Sequence, residues 1–334
     1  SANNTSIRKV KNDKIDSKGI AKLGLSKDIP VSQFPAKLVL ELRSLTRKYY
    51  DLTDERSAHI NKLKGDLHTV FPQYLDVFCD VTGKTSTMIL RQYGTPDKIL
   101  RGHKKTMIEK ISKASRKGLA KASERYEKLC AAANAAKTFG CQIDSIYFNI
   151  FLTLDLVEKL DSALDSILNR IRQLITFNKN EKFIQQIKLL NTIPGVGFLT
   201  AVTIMCEIGD FSAFRNPKQL FAYFGLDPEV NESGKFVGTQ LHMSKRGSRI
   251  ARRAIFAVAL ASIRTKRNGE GINPYLRKYY ELKSGQKPKM VAIGAVMHKV
   301  CNIVFAVLRD EKAFELRSPE EHCKQYQRPA LAAA

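Results

Sequence analysis

One serine of this chain stands where nucleophilic attack on a phosphodiester would be simple to arrange. Ser233 is followed by a glycine and by a series of basic residues that leads into a predicted helix. A serine hydroxyl at its free pKa is a weak nucleophile, so it needs a metal ion, a base or a cradle of cations to lower the cost of ionisation. The alternative is ordinary turn chemistry, because Ser-Gly is common in tight hairpins. Four side chains could form the cradle and neutralise charge on a phosphate: Lys235, Lys245, Arg246 and Arg249.

The charge around this serine indicates a polyanionic partner. Residues 235–289 contain 14 Lys and Arg but only two acidic residues, Glu270 and Glu281, so this stretch supplies about half of the net charge of +24. Nucleic acid is the commonest polyanion that such a surface binds. We therefore expect the basic residues of this stretch, including Arg252 and Arg253, to contact nucleic acid.

A second candidate site for phosphate lies at residues 193–197, Ile-Pro-Gly-Val-Gly, between two apolar runs. This pattern predicts a helix-hairpin-helix, in which Gly195 and Gly197 let the backbone turn tightly. The free N–H groups of the second helix would then face a phosphate without reading the base sequence. The alternative is a plain turn between packed helices.

Two carboxylates near the start of the chain could hold a metal ion. Asp13 and Asp16 are three residues apart, so in a first helical turn both would share one face. Two acids on one face can bind Mg2+, which prefers carboxylate oxygens and retained water. Spacing alone favours the alternative, in which acids in a first turn only complement the helix dipole.

Composition restricts the class of protein. With 334 residues, of which 43% are hydrophobic, the chain can bury a core, and we expect two or three units. No apolar run reaches the roughly 18 residues of a membrane span, and no leader with a cleavage site is recognisable. The six cysteines form no C-x-x-C pair, which argues against structural zinc and against a secreted disulfide framework. We expect a cytoplasmic protein with no membrane association.

Two long helices are predicted from the apolar spacing. Apolar residues recur at helical intervals from Ala36 to about His68 and again from Ile143 to Leu174. Runs of this length without an early Gly or Pro favour an antiparallel coiled-coil arm or a long bundle pair. Between them, at about residues 70–140, Gly and Pro punctuate a smaller helical insert that ends in a basic stretch, residues 104–128. The charges of this insert form either a solvated face or a nucleic-acid contact.

Residues 189–309 contain a series of short motifs: Ile193 to Gly197, Glu207-Ile208-Gly209-Asp210, Phe224-Gly225-Leu226, Glu232-Ser233-Gly234, Met243 to Gly247, Arg252-Arg253-Ala254 and the final helix from Lys287 to Arg309. With these motifs the segment resembles the C-terminal transposase domain of the DEDD transposases of bacterial insertion sequences. This group is related to the Piv invertase and is understood as bridge-RNA-guided recombinases.

Residues 11–17 resemble the family's last two acidic residues, which end an RNase-H-like domain. The resemblance implies that Asp13 and Asp16 are metal ligands and that the metal is Mg2+. The family's first Asp and its Glu have no counterpart here, so we expect an N-terminally truncated chain with an incomplete acidic site. We interpret the terminal residues 330–334, Ala-Leu-Ala-Ala-Ala, as a remnant of an expression vector.

The resemblance implies a DNA transposase or site-specific recombinase. In the family, four acids and their Mg2+ act with a serine of the C-terminal domain, across a dimer, and that serine forms a covalent link to DNA. Ser233 is the position that matches this serine. A structured guide RNA would choose the DNA site by base pairing, and we expect a homodimer or tetramer. Two alternatives stay open: a non-enzymatic nucleic-acid-binding fragment, and a junction-cleaving, metal-dependent nuclease that needs no serine.

The predicted fold is mainly α. It begins with a C-terminal remnant of an RNase-H-like α/β domain at residues 1–35, followed by a long antiparallel coiled-coil arm that carries the basic insert, at residues 36–180. An α-rich transposase domain follows at residues 181–316, with the helix-hairpin-helix and a short β-hairpin around Ser233. Residues 317–334 are expected to be a tail that ends in the vector remnant.

Overall fold

A computed structural model describes residues 17–18, 21–22, 25, 35–139, 141–229, 232–233, 236–237, 242–318 and 320–321. The chain divides into two compact units, residues 1–37 and residues 38–334. Helices make up most of the second unit, so the mainly α prediction is confirmed.

The described elements follow one another along the chain, and apart from two short strands and one 3-10 turn (Phe211–Ala213) they are α-helices. In chain order they are α1 (Lys37–Val70), α2 (Tyr74–Val77), α3 (Lys84–Gln92), α4 (Pro96–Arg101), α5 (Lys104–Ser115), α6 (Gly118–Phe139), α7 (Asp144–Phe177), α8 (Lys182–Leu190), α9 (Phe198–Ile208), α10 (Pro217–Tyr223), β1 (Glu232–Ser233), β2 (Phe236–Val237), α11 (Arg249–Ile263), α12 (Pro274–Ser284) and α13 (Lys289–Asp310).

Two long helices run through the second unit. Helices α1 and α7 contain 34 residues each, which corresponds to about 50 Å. They pack antiparallel, because the Tyr147 hydroxyl donates to the carbonyl oxygen of Val70 at 3.4 Å, and 14 residues away along each helix Arg56 pairs with Asp161. The prediction of two long helices is confirmed, and each predicted end lies within three residues of the observed one.

The second unit contains two hydrophobic cores. The C-terminal core gathers buried residues of α8 to α13, together with Leu42 of α1 and with Ile171 and Leu174 of α7. The insert core lies among α2 to α6 and the opposite ends of the long helices, residues 63–70 and 147–154. Helices α1 and α7 therefore connect two separately packed regions. We refer to residues 71–143 as the insert and to residues 182–318 as the C-terminal domain.

The insert is held together by a helix with one small face. Four alanines of α6 are buried in the insert core, and their size lets α2, α4 and α5 pack closely against this helix. Helix α4 starts with Thr95 as its N-cap, which accepts a hydrogen bond from the Lys98 N–H at 3.4 Å, and with Pro96 in its first turn. The buried alanines of α6 are Ala122, Ala132, Ala133 and Ala136.

Helix α13 is the central helix of the C-terminal core. Among the described residues it is the helix whose length and composition would allow it to cross a membrane, with 22 residues and a mean hydropathy of 2.0, which the search for apolar runs did not anticipate. Ten of its residues are buried, and it packs against α8, α10, α11 and α12. Its apolar character is therefore used inside the C-terminal core.

Candidate nucleic-acid interface

Ser233 lies on a short two-stranded arm. Strands β1 and β2 pair antiparallel, with Ser233 opposite Phe236, in agreement with the short hairpin expected around this serine. Nearer the domain, residues 227–229 and 242–244 pair again through backbone hydrogen bonds of 2.7 and 2.8 Å. We refer to residues 227–244 as the serine arm. The described pairs bracket Ser233 on both strands, and the chain continues from the second strand into the basic residues 245–253.

The base of the serine arm is fixed where two backbone segments cross. Gly225 has a φ of +65°, and a Cβ added there would lie 2.5 Å from the nitrogen of Gly247. A Cβ added to Gly247 would lie 2.0 Å from the carbonyl oxygen of Tyr223. The Lys245 N–H donates to the carbonyl oxygen of Gly225 at 3.0 Å, and Lys245 itself has a φ of +53°. Only glycine fits at both crossing positions, so this crossing sets where the arm leaves the domain.

Arg252 clamps the same crossing from α11. Its Nη1 donates to the carbonyl oxygens of Gly247 at 2.7 Å and Phe224 at 3.2 Å. Helix α11 begins just before it, where the Ser248 hydroxyl accepts from the Ala251 N–H at 3.2 Å. The sequence predicts Arg252 as a nucleic-acid contact, and in the structure its guanidinium also holds backbone at the base of the serine arm.

A stripe of polar residues on α1 faces the end of α9. Its members are spaced by four, three and four residues, so they share one helical face. The Arg43 Nε donates to the carbonyl oxygen of Cys206 at 2.7 Å. Arg47 donates to both carboxylate oxygens of Glu207 at 2.9 Å. We call these residues the α1 stripe: Arg43, Arg47, Tyr50 and Asp54.

The other half of the α1 stripe reaches the arginines of α11. Asp54 accepts from the Nη1 of Arg253 at 2.7 Å and lies 3.7 Å from the Nη2 of Arg249. The Arg253 guanidinium also lies over the ring of Tyr50, 4.9 Å from its centre, an arrangement favoured by cation–π attraction. The structure thus brings Arg249 and Arg253 together on one carboxylate.

Glu207, the carboxylate of α9 that Arg47 of α1 binds, is buried, with 3% of the residue exposed. Burial alone would raise its pKa, but hydrogen bonds from Arg47 and Ser248 and the charges of Arg47 and Arg43 outweigh burial, and the pKa of Glu207 is lowered. The hydrogen bond to Glu207 in turn raises the pKa of Arg47. Glu207 is therefore ionised at neutral pH and joins α1 to α9. The sequence indicates Glu207 only within a motif and does not predict that it joins α1 to α9. The helical spacing of the α1 stripe is a signal that could have indicated this role.

Three basic residues beside the crossing are exposed to solvent: Lys245, Arg246 and Arg249. Within the described part of the chain, Lys245 and Arg246 have no acidic partner, and Arg249 reaches Asp54 only at 3.7 Å. A compact group of exposed cations without close carboxylates attracts phosphate. These three side chains are therefore the predicted contacts that the structure leaves open for a polyanion.

The turn between α8 and α9 contains Gly195 and Gly197, the two glycines of the predicted helix-hairpin-helix, and their surroundings differ. Gly195 has a φ of +95°, and a Cβ there would lie 2.7 Å from the hydroxyl oxygen of Ser262 on α11. Ser262 also donates to the carbonyl oxygen of Pro194 at 3.1 Å. Gly197 is exposed, precedes α9 and has open space around it. Gly195 therefore packs the turn against α11. Gly197 faces open space at the start of α9, so a ligand could reach this end of the helix beside it.

The remaining predicted site residues lie outside the described residues. These are Asp13, Asp16 and Lys235, and the side chain of Ser233 is likewise not described. In the ranges that are described, no group of three or more His, Cys, Asp or Glu side chains could hold a metal ion.

Two segments of the chain match models of known protein families. Residues 187–281, which include the serine arm and α11, match the family described as "Transposase IS116/IS110/IS902 family". Residues 1–72, which include α1, match DEDD_Tnp_IS110, described as "Transposase". The α1 stripe therefore belongs to one matched segment and its partners to the other.

Individual relatives agree with these matches. The "Insertion element IS110 uncharacterized 43.6 kDa protein" of Streptomyces coelicolor is 23% identical over 286 residues, which cover 85% of this chain and 66% of that protein. The "Pilin gene-inverting protein" of Moraxella bovis is 30% identical over 177 residues, covering 53% and 52%. The "Transposase for insertion sequence element IS1111A" of Coxiella burnetii is 26% identical over 188 residues, covering 54% and 50%. The chain thus spans between half and two thirds of the length of these relatives.

Proposed function

Because this chain belongs to the IS116/IS110/IS902 transposase family, we propose that it breaks and joins DNA strands through a covalent link between Ser233 and DNA. The observation that carries the proposal is the placement of Ser233 on an arm whose base is fixed by the Gly225–Gly247 crossing. That base continues directly into the exposed cations Lys245 and Arg246. A nucleophile on a fixed arm beside cations suits attack on a phosphodiester.

The proposed step conserves the number of phosphodiester bonds. The hydroxyl oxygen of Ser233 attacks phosphorus, a deoxyribose oxygen leaves with the bonding electron pair and takes up a proton, and a serine phosphodiester is formed. Attack by a deoxyribose hydroxyl of another strand then releases the serine and completes strand exchange. Lys245, Arg246 and Arg249 would neutralise the charge that develops on the phosphate oxygens.

The acidic residues would supply the metal part of the site. Asp13 and Asp16 would hold Mg2+, which would stabilise charge on the phosphate as a Lewis acid. They would belong to the end of an RNase-H-like domain at residues 1–35. This part of the proposal rests on the resemblance of residues 11–17 to the acidic motif of the family.

Four further parts complete the proposal: the guide RNA rests on the family resemblance, whereas the coiled-coil arm and the helix-hairpin-helix rest on residue patterns. A structured guide RNA would select the DNA site by base pairing, so that the protein would need only to hold nucleic-acid backbones. Helices α1 and α7 would act as a coiled-coil arm in a homodimer or tetramer. The turn at Gly195 and Gly197 would act as a helix-hairpin-helix, with phosphate approaching from the exposed side of Gly197. The reaction would take place in the cytoplasm.

Covalent capture of DNA tests the proposal. The full chain, purified from cells that carry its native flanking DNA, is incubated with DNA containing the element's ends and Mg2+, and protein–DNA adducts are separated on a denaturing gel. We expect an adduct with the wild-type chain and none with Ser233→Ala. Ser57→Ala is the matched control, because Ser57 is exposed on α1 and, among the described residues, its hydroxyl bonds only to the Thr53 carbonyl of its own helix.

The other outcomes identify the alternatives. Cleaved DNA without an adduct, unchanged by Ser233→Ala, would identify a metal-dependent nuclease. DNA binding by the wild-type chain without cleavage or adduct would identify a non-enzymatic nucleic-acid-binding fragment. Either result would overturn the proposed role of Ser233.

A further inference from the structure

The insert is a second basic region, separate from the serine arm. It lies between the two segments that match family models, which end at residue 72 and resume at residue 187. Residues 71–143 contain 14 Lys and Arg against six Asp and Glu. The insert also packs around its own core. Its positive charge is therefore carried by a region with a structure of its own.

Half of the acidic residues of the insert are paired within it. Asp97 pairs with Lys137 at 2.8 Å, and Glu124 pairs with Lys128 at 2.7 Å. The third pair, between Glu127 and Lys104, is 2.6 Å long. These pairs neutralise charge on α4 and on the middle and end of α6. They leave the turn between α5 and α6 with its cations unmatched.

Four cations converge at that turn, and no acidic residue lies between residues 110 and 123. They come from the last turn of α5, from the turn itself and from the first turn of α6. All four side chains are exposed, and in the described ranges none of them forms an ion pair. The pKa of Glu124 is lowered chiefly by its hydrogen bond with Lys128, and the charge of Lys121 adds a smaller contribution. We call them the basic tip: Lys113, Arg116, Lys117 and Lys121.

At the basic tip, Arg116 adopts a left-handed backbone conformation that glycine would adopt without strain. Arg116 caps α5 in the left-handed conformation, with φ 56° and ψ 26°, a position that helices usually fill with Gly or Asn. Gly118, two residues later, has a φ of +78° and open space around it. A strained residue that carries a charge at an exposed turn points to a use for that charge.

We infer that the basic tip binds the sugar–phosphate backbone of duplex DNA outside the strand-exchange site. The choice of DNA rests on the proposed function, whose substrate is DNA. The basic tip suits a duplex better than a single strand, because single-strand sites stack bases on aromatic side chains. The large hydrophobic side chains exposed on the described insert are Leu119 and Ile143, and neither is aromatic. Tyr93 and Tyr126 lie under Lys110 and Lys104 instead.

The test compares two variants from which the same charge is removed. In the tip variant, Lys113, Lys117 and Lys121 become Gln and Arg116 becomes Gly. The control variant carries Gln at four exposed lysines of the long helices: Lys48, Lys62, Lys64 and Lys159. Binding of the full chain to a labelled random-sequence DNA duplex is measured by fluorescence polarisation over a series of salt concentrations.

Affinity falls as salt rises, so the slope of log affinity against log salt is negative. We expect this slope to be shallower in the tip variant, by about 0.9 for each phosphate that the protein no longer neutralises, and so by about three to four. The control variant should leave the slope nearly unchanged. Arg116→Gly alone should make the slope shallower by about one, while the thermal midpoint stays the same or rises by about 2 °C as the left-handed strain is relieved. A shallower slope without a lower thermal midpoint would exclude misfolding as the cause.

Three results would overturn the inference: equal reductions of the slope in the two four-residue variants, an unchanged slope in the tip variant, or stronger competition by duplex RNA than by duplex DNA of the same sequence. The Ser233 adduct separates this inference from the proposed function. An adduct with wild type, together with an unchanged slope in the tip variant, overturns only the role of the basic tip. A shallower slope in the tip variant, together with no adduct in wild type, overturns only the covalent role of Ser233.

Discussion

The C-terminal domain and the insert are both helical and basic, but their cations have different partners. In the C-terminal domain Arg252 is bound to two carbonyl oxygens and Arg253 to Asp54 and the ring of Tyr50. In the insert the paired cations reach exposed acids on the same or a neighbouring helix, and the basic tip has no ion-pair partner among the described residues. The positive charge of a segment therefore overestimates the number of cations available to nucleic acid where arginines also hold the fold.

The two regions also differ in how closely their backbones approach. The C-terminal domain places the backbones of Gly225 and Gly247 in direct contact, and an added Cβ would meet main-chain atoms at 2.0 to 2.5 Å. At Gly102 of the insert the nearest atom to an added Cβ is the side-chain methyl of Met107, at 2.6 Å. A methionine side chain can move aside, whereas a backbone crossing cannot. The C-terminal domain should therefore be the less tolerant region.

Gly247→Ala should have the largest effect on stability. The new methyl group would overlap the carbonyl oxygen of Tyr223, and we expect the free energy of unfolding to fall by at least about 4 kcal/mol. Gly197→Ala is the matched control, because its added methyl would meet open space, and it should cost under about 1 kcal/mol. Chemical denaturation of both variants measures the difference.

Amide hydrogen exchange in Gly247→Ala tests whether the insert core and the C-terminal core unfold separately. If the insert core and the C-terminal core are separate cooperative units, α6 should keep its protection while α11 loses it. Equal loss of protection in both helices would show one cooperative unit and would contradict the division into two cores.

The local parts of this fold could be predicted from the sequence. The spacing of apolar residues located α1 and α7, because that pattern repeats within each helix. The prediction of nucleic-acid binding by Arg252 took no account of its contact with Phe224, which is 28 residues away. The α1 stripe was missed for the same reason, since Arg47 and Glu207 are 160 residues apart. The sequence does not distinguish an arginine that binds backbone carbonyls from one that is available to phosphate, because their partners are distant along the chain.

Glu207→Gln should have an intermediate effect. Removal of this buried charge would leave Arg47 without its bidentate partner, and we expect a loss of about 2 to 3 kcal/mol at pH 7. Glu158→Gln is the control, because Glu158 of α7 is exposed where it pairs with Arg91 of the insert, and it should cost under about 1 kcal/mol. Similar costs for the two variants would contradict the difference between the regions.

The pH dependence of stability checks the same carboxylate. The pKa of Glu207 is lower in the folded chain than its ordinary value. Its contribution is therefore fully present above the unfolded pKa of about 4.3 and is lost as the pH falls through the folded pKa. Below about pH 4.3 the wild-type free energy of unfolding should fall more steeply than that of Glu207→Gln. Parallel curves would show that Glu207 is not the titrating group.

Asp54→Asn should have the smallest effect, and its sign is the informative part. Asp54 pairs with Arg253 at 2.7 Å and lies 3.7 Å from Arg249, so its carboxylate would compete with phosphate for these two guanidinium groups. Loss of this negative charge should tighten binding of duplex DNA by about threefold at low salt and should cost at most about 1 kcal/mol of stability. Glu55→Gln removes the same charge from an exposed neighbouring residue of α1 and should change affinity less. Weaker binding by Asp54→Asn would show instead that Asp54 orients the two arginines for DNA, and the ion pairs between α1 and the C-terminal domain would then serve recognition as well as folding.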